Sequence, residues 1–303
     1  MAWLRRIGFF LLLNITVVMM VSLIVSLLGL GPTATAAGLN YGSLIAFCLI
    51  WGMVGSFISL LLSKQMAKWT LGVRVIEPNT TDSYERTLLD TVYRLAHGAG
   101  LQRMPEVGVY DSPEVNAFAT GATKNRSLVA VSSGLLRSMD RASVEGVLGH
   151  EVTHIANGDM VTMALLQGVV NAFVMALARI IAFAIDNAMR SNDRDGRGLG
   201  YFAYAAIVWG LELILFIPGS MVIAAFSRFR EFRADAGGAR LAGRQNMIGA
   251  LRNLQRVQGL NDDIPAQPAY ASFKIARTGR VASLFSSHPP LDVRIARLEA
   301  TAL

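Results

Sequence analysis

The chain holds a single cysteine, Cys48, among 303 residues, which excludes an intramolecular disulfide and any metal or redox site built on several thiolates. Metal chemistry must rest on imidazoles and carboxylates, and histidine is itself scarce, with four in the sequence. Charge is the second deficit: Asp, Glu, Lys and Arg make up 16% of the residues, where a soluble domain carries roughly 25%. With 53% apolar residues and a mean hydropathy of +0.43, the composition excludes a disordered chain and argues against an ordinary soluble enzyme.

The missing charge is concentrated in segments. Ile7 to Leu30 and Leu39 to Leu62 are two uncharged runs of 24 residues. At 1.5 Å per residue each is long enough to cross a hydrocarbon core of ~30 Å, so both are expected to be transmembrane helices. A cleaved signal peptide is the alternative for the first, since Arg5 and Arg6 precede it and Ala34-Thr35-Ala36 looks like a cleavage site. Its apolar core is too long for that, however, because such cores run to roughly 7 to 15 residues. Two weaker candidates follow, Met160 to Ile185 with Arg179 inside and Gly200 to Phe226 with Glu212 inside. Intramembrane charges of this kind suggest function by default, but the depths of Arg179 and Glu212 differ by only ~7 Å at 1.5 Å per residue, an offset that a long Arg can largely bridge, which favours a structural ion pair between them. The expected organisation is 1–62 with spans 7–30 and 39–62, a first soluble portion 63–159, spans 160–185 and 200–226 within 160–226, and a second soluble portion 227–303.

Basic residues set the orientation. Arg5 and Arg6 precede the first span, Lys64 and Lys68 follow the second, and Arg228, Arg230 and Arg233 follow the fourth. The positive-inside rule therefore puts the N-terminus and both soluble portions in the cytosol. The loop from Asp186 to Leu199 mixes both signs of charge, so a shallow hairpin is the alternative for the third and fourth spans. The net charge of +7 lies mostly in the last portion and suits topology or anionic lipid; no motif supports nucleic-acid binding.

The first soluble portion reads as mixed α and β. Asp82-Ser83-Tyr84-Glu85 is a capping box opening a helix that Gly98 ends, which places His97 at a helix C-terminus, where a cation suits the dipole. Val107–Tyr110, Val115–Ala119 and Leu128–Ser132 are short β-prone runs divided by turn residues. Asp140 is a plausible N-cap for the helix that carries the most informative stretch, His150-Glu151-Val152-Thr153-His154.

Helical periodicity puts His150 and His154 on one face, one turn apart, where both can reach one Zn²⁺. Glu151 is placed to reach a water on the metal. Gly158 and Asp159 close this helix just before the third apolar run, so a third ligand is expected from another helix near the same depth. Glu231 stands five residues after Phe226, with Asp235 one turn on: one carboxylate can bind the metal while the other orients an imidazole.

In these features the chain resembles the HtpX group of membrane-anchored zinc metalloproteases, related more distantly to the CAAX prenyl endopeptidases. The resemblance spans nearly the whole chain. It is carried by the paired N-terminal spans, by Asn116-Ala117-Phe118-Ala119-Thr120-Gly121, by His150 to His154 followed by Ile155-Ala156-Asn157-Gly158-Asp159, by Glu231-Phe232-Arg233-Ala234-Asp235 and by Ser287-His288-Pro289-Pro290. It implies a mostly helical α+β multi-pass protein of the bacterial inner membrane, with a thermolysin-like (gluzincin) protease domain of helices and a small sheet facing the cytosol. It also implies an endopeptidase of membrane-protein quality control under stress, with one Zn²⁺ per chain on His150, His154 and Glu231, and Asp235 supporting His150.

Expected roles follow. Zinc with an open position lowers the pKa of its water toward ~7 and polarises the carbonyl, and Glu151 moves the proton. His288 is the candidate stabiliser of the oxyanion, with Arg294 a second one; the alternative for His288 is a plain helix-start position. Asn116, Ala117, Phe118 and Ala119 are expected to form an edge strand that pairs with extended substrate. Expected partners are then polypeptide substrates, membrane proteins among them, and the bilayer; a homo-oligomer is compatible, and self-cleavage is expected. Two other classes compete: an intramembrane site-2-type protease, disfavoured by the charges around the motif, and a non-catalytic scaffold with structural zinc, disfavoured by Glu151.

Overall fold

The computed structural model describes residues 34–35, 38–192, 198–263 and 286–301; the first apolar run, 7–30, lies outside them. The chain divides into two units, residues 1–59 with 163–223 and residues 60–162 with 224–303. Two-residue strands β1 (Ala34–Thr35) and β2 (Gly38–Leu39) pair before helix α1 (Tyr41–Leu71). The long helices α5 (Asp159–Asn192) and α6 (Tyr201–Ala242) follow later in the chain. Among the described residues α1, α5 and α6 are the helices long and apolar enough to cross a membrane by length and composition.

In the first unit, Leu44 and Cys48 of α1 pack on Ala172 of α5. Glycine permits close approach, for a Cβ at Gly52 would sit 2.6 Å from the Gly168 carbonyl oxygen. Small residues at such crossings let helix backbones meet where lipid supplies no hydrophobic drive. Arg179 reaches Glu212 at 2.7 Å, donates to the Met175 carbonyl and lies over the Phe47 ring. The same helices leave Phe173, Trp209 and Leu213 exposed, which suits lipid-facing positions.

The second unit is built on a four-stranded mixed sheet in the order β3 (Arg74–Val75), β4 (Glu106–Tyr110), β6 (Ser127–Ser132), β5 (Ala117–Gly121). β4 and β6 are parallel and the outer pairs antiparallel. Helix α2 (Ser83–Gly98) and the motif helix α4 (Arg141–Asn157) share a core in which Leu88, Leu89, Val92 and Leu95 meet Val107, Val129, Val131, Leu148, Val152 and Ile155. The short helix α3 (Ser133–Ser138) joins β6 to α4, while α7 (Arg244–Asp263) and α8 (Leu291–Ala300) close a second cluster through Met247, Leu251, Ile295 and Leu298.

Two local expectations are corrected. Asp82 caps α2 by accepting the Tyr84 and Glu85 N–H groups, but Glu85 does not return the bond: its carboxylate goes to Thr80 and Arg74. The Thr80 hydroxyl accepts the Asp82 N–H instead. The second β-prone run, Val115–Ala119, enters the sheet two residues late, at Ala117, because the Ser132 hydroxyl accepts the Asn116 N–H.

Candidate metal centre and active site

Helix α4 starts at Asp140, whose carboxylate accepts the Ser143 N–H at 2.8 Å. Leu148, Val152 and Ile155 commit one side of the helix to the core, so His150 and His154, one turn apart, emerge together on another. Their rings meet edge to face, and their Nε2 atoms lie 3.0 Å apart.

The third group arrives on α6. Glu231 Oε1 lies 3.3 Å from His154 Nε2, and its Oε2 lies 3.6 Å from His150 Nε2. Glu231 is 2% exposed. Such proximity needs the two helix backbones almost in contact, and Gly238 supplies it: a Cβ there would stand 2.9 Å from the His150 backbone nitrogen.

The donor set fits a tetrahedral cation. An ion bound at 2.0–2.1 Å has ligand atoms about 3.3–3.4 Å apart along each edge; here the two Nε2 atoms are 3.0 Å apart, and one Glu231 oxygen lies 3.3 Å from His154 and the other 3.6 Å from His150, all close to that value. Imidazole nitrogens and a carboxylate oxygen are also the donor types that zinc takes. His150, His154 and Glu231 can therefore hold a metal ion.

Each imidazole has a carboxylate behind it. Asp235 Oδ1 lies 3.0 Å from His150 Nδ1, a close ionic contact lacking hydrogen-bond alignment, and Arg294 grips Asp235 with two N–H groups at 2.8 and 2.6 Å. The His154 Nδ1 contacts Asp159 Oδ2 at 2.6 Å. Burial alone would depress the His150 imidazole, but Asp235, Glu231 and Glu151 outweigh it, and the group is pushed up to about 9. His154 is raised against the same burial by Asp159 and Glu231. Glu151 is half-buried, and its charge acts on both imidazoles.

His288 comes from the segment before α8 and sets its Nδ1 2.7 Å from Glu231 Oε2, with its side chain 65% exposed. Arg294 lies 3.4 Å from the same oxygen. Ala117, Phe118 and Ala119 lie on β5, which among the described residues pairs with β6 alone and so forms one edge of the sheet; α4 packs against this strand. Asn116 precedes it, bonded to Ser132 on both its N–H and its carbonyl.

Two residues at the centre were not legible as such. Asp159 reads in the sequence as a helix-closing residue, and the five-residue spacing from His154 was the only signal of its role. Arg294 reads as an oxyanion group; its fork on Asp235 depends on residues 59 apart in the chain.

A profile of Peptidase family M48 matches residues 82–302. The chain belongs to peptidase family M48. Protease HtpX of Shewanella loihica is 50% identical over 297 residues, covering 98% of this chain and 99% of that one. Protease HtpX of Xanthomonas euvesicatoria is 51% identical over 299 residues, with 98% of each covered. The crystal structure of S. mikatae Ste24p superposes with a TM-score of 0.65 at 17% identity, over 98% of this chain and 66% of that one, and shows the same fold. The protein is thus a membrane metalloprotease, a class that implies polypeptide substrates and a metal cofactor, which His150, His154 and Glu231 could hold.

Proposed function

We propose that this peptidase is a zinc endopeptidase of the bacterial inner membrane that cuts misfolded or damaged membrane proteins on their cytosolic side, and cuts itself. Four spans, 7–30, 39–62, 160–185 and 200–226, anchor it, with the N-terminus and residues 63–159 and 227–303 in the cytoplasm. The observation that carries the reading is the triangle of His150 Nε2, His154 Nε2 and Glu231 with Glu151 beside it.

In this reading His150, His154 and Glu231 hold one Zn²⁺ in a gluzincin arrangement, and Asp235 steadies His150. Bound there, zinc supplies Lewis acidity, lowering the pKa of a water toward ~7 and polarising the scissile carbonyl. Glu151 accepts the proton of the attacking water and delivers it to the leaving amine. His288, exposed beside Glu231, donates to the developing oxyanion. The β5 edge and Asn116 hold the substrate as an added strand, which selects extended backbone over particular side chains.

The test is zinc content and casein or self-cleavage for wild type, Glu151→Gln and Glu231→Ala, each purified in detergent, stripped with a chelator and given metal back. Glu151→Gln is expected to bind one zinc and lose about 10²- to 10⁴-fold in rate, while Glu231→Ala loses the metal. Wild type that binds zinc and never cuts would instead favour a scaffold with structural zinc.

A further inference from the structure

Asp159 has no part in the chemistry above, yet it makes one of the shortest contacts at the centre, 2.6 Å from its Oδ2 to His154 Nδ1. It is 5% exposed. In an unbroken helix, residues five apart point some 140° away from each other. Gly158 breaks the helix with a left-handed backbone, φ +72, and this turn brings Asp159 back onto the outer nitrogen of the second imidazole. The same residue is held from a distant part of the chain. Arg230 donates to the Asp159 carbonyl oxygen at 3.1 Å and lies 3.9 Å from its carboxylate, and Arg230 immediately precedes Glu231.

We infer that Asp159 is the positioning residue of His154, and that Arg230 ties it to the helix bearing the third metal ligand. A neutral imidazole carries its proton on one nitrogen only, and the partner of the other nitrogen selects which. Asp159 keeps that proton on Nδ1, so the Nε2 lone pair faces His150 and Glu231. A carboxylate behind a ligating imidazole also raises its basicity. Because Arg230 and Glu231 are adjacent on α6, a shift of that helix moves the third ligand and the support of the second together. The inference rests on the metal-site reading of the preceding section.

The experiment uses the full-length protein in detergent, stripped of metal and titrated with Zn²⁺ against a chromophoric chelator, and with Co²⁺ read by its visible absorption. Asp159→Asn keeps the shape and an acceptor oxygen but loses the charge; it is expected to weaken Zn²⁺ binding about 10-fold, and Asp159→Ala about 100-fold. The Co²⁺ spectrum of Asp159→Asn should shift, since the field at His154 changes. Thermal unfolding without metal reports folding separately. Variants that unfold earlier yet bind Zn²⁺ with wild-type affinity and an unaltered Co²⁺ spectrum would overturn the inference and leave the metal site standing. Wild type that binds neither ion would overturn both.

Discussion

Gly238 and His150 touch through their backbones: a side chain at Gly238 would begin 2.9 Å from the His150 nitrogen, closer than atoms settle without a shift. The approach places Glu231, two turns earlier on the same helix, within reach of both imidazoles. Gly238→Ala is therefore expected to push α6 from α4, destabilise by roughly 1–3 kcal/mol as overpacking does and lower metal affinity. Gly249→Ala is the control, because its Cβ meets only the Ser143 hydroxyl at an ordinary 3.5 Å. Metal titration and thermal unfolding of both variants check the contrast, and equal behaviour would sink it.

Arg294 and Asp235 are 6% and 2% exposed and joined by two short hydrogen bonds. Removing one member leaves the other charged and buried, a change that costs about 3–5 kcal/mol. Arg294→Ala should show that loss in unfolding and a freer His150. Arg294→Lys keeps the charge without the fork and should fall between, as a point charge cannot satisfy both carboxylate oxygens.

Within the first unit, Arg179 and Glu212 meet at 2.7 Å on apolar helices. Single alanine substitutions at either residue are expected to destabilise, and the double variant to cost less than the two together. The coupling should be roughly 0.5–3 kcal/mol, read from unfolding of all four proteins in one detergent. Strict additivity would mean the pair contributes no coupling.

Asp140 caps α4, and its carboxyl is held below the usual range by the Ser143 hydroxyl and N–H. A depressed carboxyl contributes stability above its unfolded pKa of about 3.9 that fades as the pH falls through the lower folded value. Asp140→Ala should thus cost about 1 kcal/mol near neutral pH, and the gap to wild type should narrow below roughly pH 4. A gap independent of pH would remove the charge from the explanation.

Local pattern made much of the protein readable. The apolar run after Leu39 needs no distant partner to be helical and lipid-compatible, and α1 covers it from Tyr41. The His150 and His154 pair follows from helix period, and the caps at Asp82 and Asp140 from the short reach of a carboxylate. The edge strand was legible only roughly, because the bond that delays it to Ala117 comes from Ser132, sixteen residues on.

The sequence by itself determined the class of chemistry and its setting. One cysteine, sparse charge, long apolar runs and two imidazoles a turn apart with a carboxylate between them are properties of composition and of contacts within one helix. That Asp159 serves His154 and that Arg294 grips Asp235 were decided by tertiary structure. Glu231 reaches His150 and His154, Arg294 clamps Asp235, and Arg230 holds Asp159, all across separations of 59 to 81 residues. Periodicity ends at the helix terminus, so these pairings depend on how closely two backbones can pack, which a glycine at 238 permits and no local pattern encodes.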